Sequence, residues 1–301
     1  MTASPAPTLL GIDWGTSNRR AWWLASDGAV LAEHTDDQGL LAVQGRFSDA
    51  LQTLLGHGPT LAPNAATVMA GMVGSASGWQ EVPYLDAAVP LDQITRRLAA
   101  VAAADPRCFI VPGMSFAASD GSVDVMRGEE TQLFGALALG HGDGWYVLPG
   151  THSKWVRVHE GRVADLATYM TGELFSLLTQ HGTLSSVTRS GEVNPQAFAR
   201  GVAAAGRSSL SNALFGCRAQ VVSGRLPAAE AREYLSGLLI GAEWHDVQRR
   251  AGQAPSRLTL IGSAQLEQRY ASVAALFGCE ITALDAREVQ LAALRAMQAT
   301  L

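Results

Sequence analysis

The chain lacks most of the features that announce a cofactor or a compartment. Cysteines number three in 301 residues, Cys108, Cys217 and Cys279, and no two form a C-x-x-C pair. Thiols so scattered build neither a metal cage nor a disulfide framework, and they fit a reducing cytoplasm. No G-x-x-x-x-G-K-[ST] and no G-x-G-x-x-G occurs, so neither a P-loop nor a dinucleotide turn is supported. Lys and Arg total 22 against 27 Asp and Glu, a net charge of −5, without a basic run. That balance speaks against a nucleic-acid partner. The apolar stretches are too short, and too broken by Gly, Pro or charge, to predict a membrane span. Met1 to Leu10 has no basic start and no long apolar run, so no secretory signal is expected, and residues 1–7 read as a loose leader.

Apolar mass and glycine are what the chain does have. It is 48% hydrophobic and 16% charged, enough for sizeable cores, and 301 residues predict two domains. One pattern is written twice. Leu10 to Trp23 is an apolar run that meets a turn at Gly15, Thr16 and Ser17 and resumes. Tyr146 to Val156 does the same through Gly150, Thr151 and Ser153, with Lys154 beginning the resumed run. Each resumed run reaches a second turn, at Asp27–Gly28 and at Glu160–Gly161, before a third apolar run. This predicts strand, hairpin, strand, hairpin, strand in both halves. Backbone N–H groups and hydroxyls at two such turns would suit a chain of phosphates, and the repeat predicts two related lobes with a cleft between them.

Asp13 ends a buried strand, where an unpaired charge is costly. It is either a Mg²⁺ ligand or a cap on the Gly–Thr turn. Arg46 to Gly56 predicts a short amphipathic helix and Ala66 to Ala70 a buried strand. The strand runs into a loop of small residues, Gly71, Met72, Val73, Gly74 and Ser75, with Trp79 beyond it. Loops at strand ends hold ligands in α/β folds; Trp79 either covers a substrate or anchors the loop in the core. Leu91 to Ala104 predicts a helix, and Cys108 to Val111 a strand. Gly128 followed by Glu129, Glu130 and apolar residues predicts a helix start. The two carboxylates either complement the helix dipole, or one serves as a general base with Arg127 on an anionic group.

In the second half, His152 reads as a hydrogen-bonding turn residue, and Lys154 as a strand-end lysine or a phosphate ligand. Thr171 to Leu174 opens a helix, and residues 181–195 read as a polar loop. Helices follow at 195–206, 208–215 and 228–245; in the last, Gly237 and Gly241 mark close helix packing or a platform for a base. Leu258 to Ile261 is a strand entering Gly262, Ser263 and Ala264, with a helix directly after, a unit that can hold a nucleotide at its helix N-terminus. A strand at 279–283 and a helix at 285–297 end the chain.

These features, in this order, resemble the superfamily of actin, sugar kinases and heat-shock ATPase chaperones. The fold this implies is α/β: two ribonuclease-H-like lobes of duplicated topology, mixed sheets flanked by helices, spanning 1–140 and 141–301. Ile12 to Ser17 resembles the first phosphate motif, Pro149 to Ser153 the second, and Gly262 to Ala264 the adenosine motif. Arg127 to Glu130 resembles the connecting segment, which in exopolyphosphatases carries the catalytic glutamate. Two departures stand out: Leu148 occupies a position where the second motif often has Asp, and the adenosine motif keeps one glycine.

A finer match joins Asp13 to Asn18, Met69 to Ser75, Met126 to Gln132, Pro149 to Trp155, Met170 to Leu174 and Ser236 to Glu243. Together they resemble the 2-dehydro-3-deoxygalactonokinases, bacterial kinases of galactonate breakdown. The resemblance implies ATP and Mg²⁺ as cofactors and phosphorylation of a sugar acid at its 6-hydroxyl, in the cytoplasm. It implies Glu129 as base and Asp13 at the metal. Gly15, Thr16, Ser17, Gly150, Thr151, Ser153 and Lys154 would meet the phosphates, with Gly262, Ser263 and Ala264 at the nucleoside. Asn18, Arg19, Gly71, Met72, Val73, Gly74, Ser75, Trp79 and Arg127 would meet the substrate, Arg127 or Arg19 taking its carboxylate. A phosphohydrolase or a non-catalytic ATP-binding protein on the same fold is the alternative. No nucleic-acid or membrane partner is expected, and a homodimer is left open.

Overall fold

The computed structural model describes residues 5–102, 107–189 and 191–301. The first half begins with the meander β1 (Leu9–Trp14), β2 (Arg19–Leu24) and β3 (Val30–Asp36). It continues through α1 (Leu40–Val43), α2 (Phe47–Leu55), β4 (Ala66–Gly71), β5 (Leu85–Asp86), β6 (Ala99–Ala100) and β7 (Cys108–Ile110), then β8 (Met114–Ala117), β9 (Val123–Met126) and α3 (Glu129–Ala138). The second meander is β10 (Gly144–Leu148), β11 (Ser153–His159) and β12 (Arg162–Tyr169). After it come α4 (Thr171–Gln180), α5 (Gly182–Thr188), α6 (Pro195–Ala205), α7 (Leu210–Val222) and α8 (Ala231–Ala251), and finally β13 (Arg257–Gly262), α9 (Ala264–Leu276), β14 (Glu280–Asp285) and α10 (Ala286–Gln298).

The duplication predicted from the two turns is present in the sheets. One sheet has the order β3-β2-β1-β4-β7-β6 and another the order β12-β11-β10-β13-β14. In each, the meander supplies three strands and a later strand joins the first strand's free edge in parallel, β4 on β1 and β13 on β10; β6 closes the first sheet antiparallel to β7. β1 and β4 are in register from Leu9 opposite Ala66 to Trp14 opposite Gly71. A small third sheet, β5-β8-β9, was not legible from the pattern.

The chain divides into two compact units. Unit 1 holds residues 1–143, 158–165 and 286–301; unit 2 holds 144–157 and 166–285. A single cut at 140 therefore misses the tip of the second meander and the last helix. Glycines explain why α10 belongs to unit 1. A Cβ on Gly11 of β1 would lie 2.3 Å from Leu294 Cδ1, and one on Gly135 of α3 would lie 1.9 Å from the Val289 carbonyl oxygen. Only hydrogen at those two positions lets α10 close on the strand and on α3.

In unit 2, α6 and α8 approach equally closely. A Cβ on Gly201 would meet the Tyr234 oxygen at 2.1 Å, and one on Gly237 the Phe198 oxygen at 2.0 Å. Gly241 faces Val202 in the same way. The glycine pair in α8 is thus a packing feature. α6 starts as its sequence dictates, with the Asn194 side chain accepting the Ala197 N–H at 2.9 Å and proline in the first turn.

Two expectations change. The helix expected at 91–104 is a 3₁₀ turn, Leu91–Arg96, followed by β6; Ala103 and Ala104 lie outside the described residues. Pairing of Ala99 and Ala100 with β7 overrides the helix preference of an alanine-rich run. The polar loop expected at 181–195 contains α5, whose Leu184 packs in a cluster with Cys217 and Leu235; Ser190 lies outside the described residues. None of the three cysteines forms a disulfide. Among the described residues no helix is long and apolar enough to cross a membrane.

Candidate active site

Unit 1 presents the first turn as a braced hairpin tip. Gly15 N–H donates to the Asn18 oxygen at 2.9 Å, leaving Thr16, Ser17 and Asn18 exposed. The brace comes from the start of α1. Leu40 N–H donates to Gly15 O at 2.9 Å, Leu41 N–H to Thr16 O at 3.1 Å, and Trp14 Nε1 to Gln38 O at 2.9 Å. Gly39 makes this fit possible, since a Cβ there would stand 2.4 Å from Ser17 C and 2.6 Å from Thr16 O. Sequence reasoning missed Gly39; its signal was a glycine entering an apolar turn directly after the third strand.

Asp13 points from the end of β1 beside this loop. Its Oδ2 accepts from Arg20 Nη2 at 2.5 Å, across the strand pair, which offsets the cost of a carboxylate that is 17% exposed. Gly71, with φ +90°, ends the parallel strand β4 against Trp14 O and Asp13 Oδ1. Gly128, with φ +109°, caps α3 against Gly71. Backbone conformations of this kind favour glycine. They bring the end of β1, the Gly71 turn and the start of α3 together without side chains between them.

The two glutamates of that helix start have different surroundings. Glu129, half-buried, accepts the Arg127 N–H at 3.0 Å. Glu130 is fully buried and accepts from Gly128 N–H at 2.7 Å and the Thr131 hydroxyl at 3.0 Å. Burial, and then the charge of Glu129, push the Glu130 carboxyl up to about 8. Arg127 donates from Nη2 to Val82 O at 2.8 Å and lies over the Tyr84 ring at 4.2 Å. Its Nε and Nη1 are enclosed without a protein acceptor. A buried guanidinium left in that state calls for an anion.

Several expected substrate residues face inward instead. Arg19 is 1% exposed; it pairs with Asp36 at 2.6 Å, donates to Ala50 O at 2.8 Å and lies over Trp14. It is a core residue, so it leaves Arg127 as the candidate for a carboxylate. Val73 is fully buried, and Met72 packs on the same core. Ser75 turns its hydroxyl to Met72 O at 2.8 Å. Trp79 stacks on Phe47, 6.2 Å between centroids at 9°, so it anchors the loop in the core. Gly74 keeps its place, beside Arg127 Nη1.

Unit 2 repeats the braced tip. Gly150, Thr151 and His152 are exposed, and Glu173 N–H at the start of α4 donates to Thr151 O at 2.9 Å. Gly172 plays the part of Gly39: its Cβ would lie 2.3 Å from Gly150 O. Ser153 and Lys154, however, turn away from the tip. Ser153 is fully buried, its hydroxyl donating to Glu243 Oε2 at 3.0 Å with Tyr270 also 3.0 Å away. Trp155 Nε1 reaches the same Glu243 oxygen at 2.7 Å. Lys154 is 6% exposed and donates to the Thr168 hydroxyl on β12 at 2.9 Å. Successive residues of β11 face opposite sides of the sheet, and both sides are covered within unit 2, so both side chains are enclosed away from the tip. Glu243, the last residue of the Ser236 to Glu243 segment, had no role expected of it and organises this layer; burial raises its carboxyl, against hydrogen bonds that lower it.

The adenosine-like segment lies in the same unit. Gly262 ends β13 beside Pro149, and Ser263 and Ala264 are exposed at the start of α9. A cavity of about 250 Å³ opens there, bordered by Pro149, Gly150, Gly172, Phe175, Leu239 and Gln265. It carries both apolar walls and the backbone of the second tip.

Comparison with known proteins follows this geometry. The model of the family described as 2-keto-3-deoxy-galactonokinase matches residues 13–297. The chain belongs to that family. Among curated relatives of the 2-keto-3-deoxy-galactonokinase family, a 2-dehydro-3-deoxygalactonokinase of Escherichia coli (strain K12) is 35% identical over 278 residues, 91% of this chain and 92% of its own. A protein of Rhizobium meliloti (strain 1021), provisionally assigned the same activity, is 36% identical over 294 residues, 95% of this chain and 94% of its own. A crystal structure of a provisionally assigned 2-dehydro-3-deoxygalactonokinase from Sinorhizobium meliloti superposes with a TM-score of 0.88 at 33% identity, covering 97% of this chain and 96% of that one. An activator of 2-hydroxyisocaproyl-CoA dehydratase from Clostridium difficile, solved with bound ADPNP, shares the fold at 11% identity, with a TM-score of 0.52 and coverage of 97% and 94%. The 2-keto-3-deoxy-galactonokinase match and the duplicated strand order agree on a two-lobed sugar-kinase fold.

Proposed function

We propose that this protein is an ATP-dependent kinase that phosphorylates 2-dehydro-3-deoxy-D-galactonate at its 6-hydroxyl. One observation carries the reading within this family: unit 1 brings Asp13, the Gly71 turn and the Glu129 helix start together next to a buried guanidinium with no protein acceptor on two of its nitrogens. Those are the parts that phosphoryl transfer to a carboxylated sugar needs.

We assign Arg127 to the substrate carboxylate, and Gly71, Gly74 and Asn18 to the rest of the substrate. Glu129 accepts the proton of the primary hydroxyl as its oxygen bonds to the γ-phosphorus of ATP. The bond from that phosphorus to the bridging oxygen breaks, and ADP leaves. Glu129 fits this role better than Glu130, whose carboxyl is enclosed and already serves Gly128 and Thr131. The backbone of Gly15, Thr16 and Ser17, and separately that of Gly150 and Thr151, would present donors to phosphate oxygens. Gly262 to Ala264 and the 250 Å³ cavity of unit 2 are assigned to the nucleoside.

A Mg²⁺ ion fits Asp13. Among the described residues no group of three His, Cys, Asp or Glu could hold a metal, and Mg²⁺ bound with a nucleotide takes most of its ligands from phosphate and water, needing one or two carboxylates. Bound there, the ion would neutralise charge on the phosphates. We place the protein in the cytoplasm, where ATP and a small sugar acid are both at hand.

The test is ADP formation with ATP and Mg²⁺, with and without the ketodeoxy sugar acid. The kinase reading expects ADP to follow the sugar acid one for one. Equal rates in its absence would instead make the protein a phosphohydrolase. A panel of epimeric six-carbon keto acids then tests the choice of galactonate over gluconate derivatives.

A further inference from the structure

The second tip loses both of the side chains expected to serve phosphate, because Ser153 and Lys154 face into unit 2. The two tips can be aligned: Gly15 with Gly150, Thr16 with Thr151, Ser17 with His152, Asn18 with Ser153 and Arg19 with Lys154. The alignment is reflected in behaviour, apart from Asn18, which is exposed where Ser153 is buried. Arg19 and Lys154 are both buried, and each bonds across its own sheet, to Asp36 on β3 and to Thr168 on β12. Ser17 and His152 are both exposed at the tip. His152 is therefore the side chain that the second tip offers where the first offers a hydroxyl.

His152 is not left to swing. Its Nε2 lies 2.7 Å from Glu173 Oε2. The same Glu173 donates its backbone N–H to Thr151 O at 2.9 Å, and Gly172 packs against Gly150. One residue thus fixes both the backbone of the tip and the ring that projects from it. Among the described residues Nδ1 makes no hydrogen bond, so that nitrogen is left to a ligand. A pair 46% and 37% exposed contributes little to stability. Orientation is the effect such a pair can have.

We propose that His152, aimed by Glu173, is the nucleotide-phosphate ligand of the second tip. With a proton on both ring nitrogens, Nε2 donates to Glu173 and Nδ1 donates to an oxygen of the polyphosphate, and Glu173 is a positioning residue that acts through the ring. This rests on the kinase reading for its biological substrate, but its ligand chemistry, a nucleoside triphosphate, can be tested without turnover.

The experiment compares the full chain with His152→Ala, His152→Gln and Glu173→Gln. Calorimetry measures binding of a non-hydrolysable ATP analogue with Mg²⁺, and steady-state assays separate KM for ATP from KM for the sugar acid. For His152→Ala we expect a roughly tenfold or greater loss in analogue affinity and in kcat/KM for ATP, on the scale of one charge-assisted hydrogen bond. KM for the sugar acid and the melting temperature stay at wild-type values. Glu173→Gln loses less in the same direction, and His152→Gln, which keeps a donor, recovers part of the loss. Analogue affinity within twofold of wild type in His152→Ala overturns the proposal, and so does an equal loss for both substrates. A wild-type protein that binds the analogue but transfers nothing to the sugar acid fails the kinase reading alone. A wild-type protein that does not bind the analogue fails both.

Discussion

Glu129 and Glu130 are chemically identical neighbours in one helical turn, and their surroundings divide the work between them. Glu129 keeps access to solvent, so Glu129→Gln should lower kcat by roughly 10²–10⁴ while leaving KM for ATP near its original value. Near-normal turnover in that variant would remove Glu129 as the base. Glu130 makes a prediction about stability instead. Its carboxyl is pushed up to about 8, above its ordinary 4.5, chiefly by burial. Between those values the folded chain holds a proton that the unfolded chain has released. Stability from this group is therefore complete below about pH 4.5 and is lost progressively as pH rises through 8. Glu130→Gln removes the ionisation. Its stability relative to wild type, read from the denaturant midpoint, should rise between pH 5 and pH 9, by an amount on the order of a few kcal/mol at the alkaline end. A difference that stays constant across that range would contradict the account.

Between residues and units stands the braced hairpin, and its recurrence carries the argument for duplication further than the turn sequences do. In each half a threonine carbonyl at the tip accepts an N–H from the start of the helix that follows the meander, Leu41 for Thr16 and Glu173 for Thr151. In each half a glycine of that helix start lies against the tip with no room for a Cβ. Gly39→Ala and Gly172→Ala should therefore push an exposed tip outward rather than open a core. The expected result is a roughly 10- to 100-fold fall in kcat/KM for ATP, the scale of a 1 Å misplacement, with a small change in melting temperature. A large stability loss with unchanged kinetics in the surviving folded protein would show that the brace serves the fold instead.

For the whole molecule, the notable arrangement is that the first unit is finished by the last helix. Gly11 and Gly135 are cut back to admit Leu294 and the backbone at Val289, and Arg295 Nε donates to Gly28 O at 3.0 Å. Leu294 is 1% exposed. Leu294→Ala should cost about 2–5 kcal/mol, read from the denaturant midpoint, because the rigid backbone around Gly11 cannot collapse into the space. A cost below that range would mean that α10 is loosely attached. The same arrangement predicts that a fragment ending at residue 143 lacks a completed core; a folded fragment by circular dichroism and by cooperative melting would refute this.

The sequence by itself determined the two meanders, α2, the acidic start of α3, the strand–glycine–serine–helix unit and, through six motifs in order, the family. All of these depend on local period and turn chemistry, which a linear pattern carries. Tertiary structure decided which way particular side chains face and what meets them. Thr151, Ser153 and Lys154 lie within four positions, yet one is exposed and two are enclosed, because Thr168 on the neighbouring strand and Glu243 on a helix far along the chain meet the latter two. Arg19 moved from substrate to core for the same reason, through Asp36 and Ala50. Gly39, Gly172 and the attachment of α10 were invisible because a glycine's purpose is the neighbour that fills its missing Cβ. Period is a property of the chain, whereas partnership is a property of the fold.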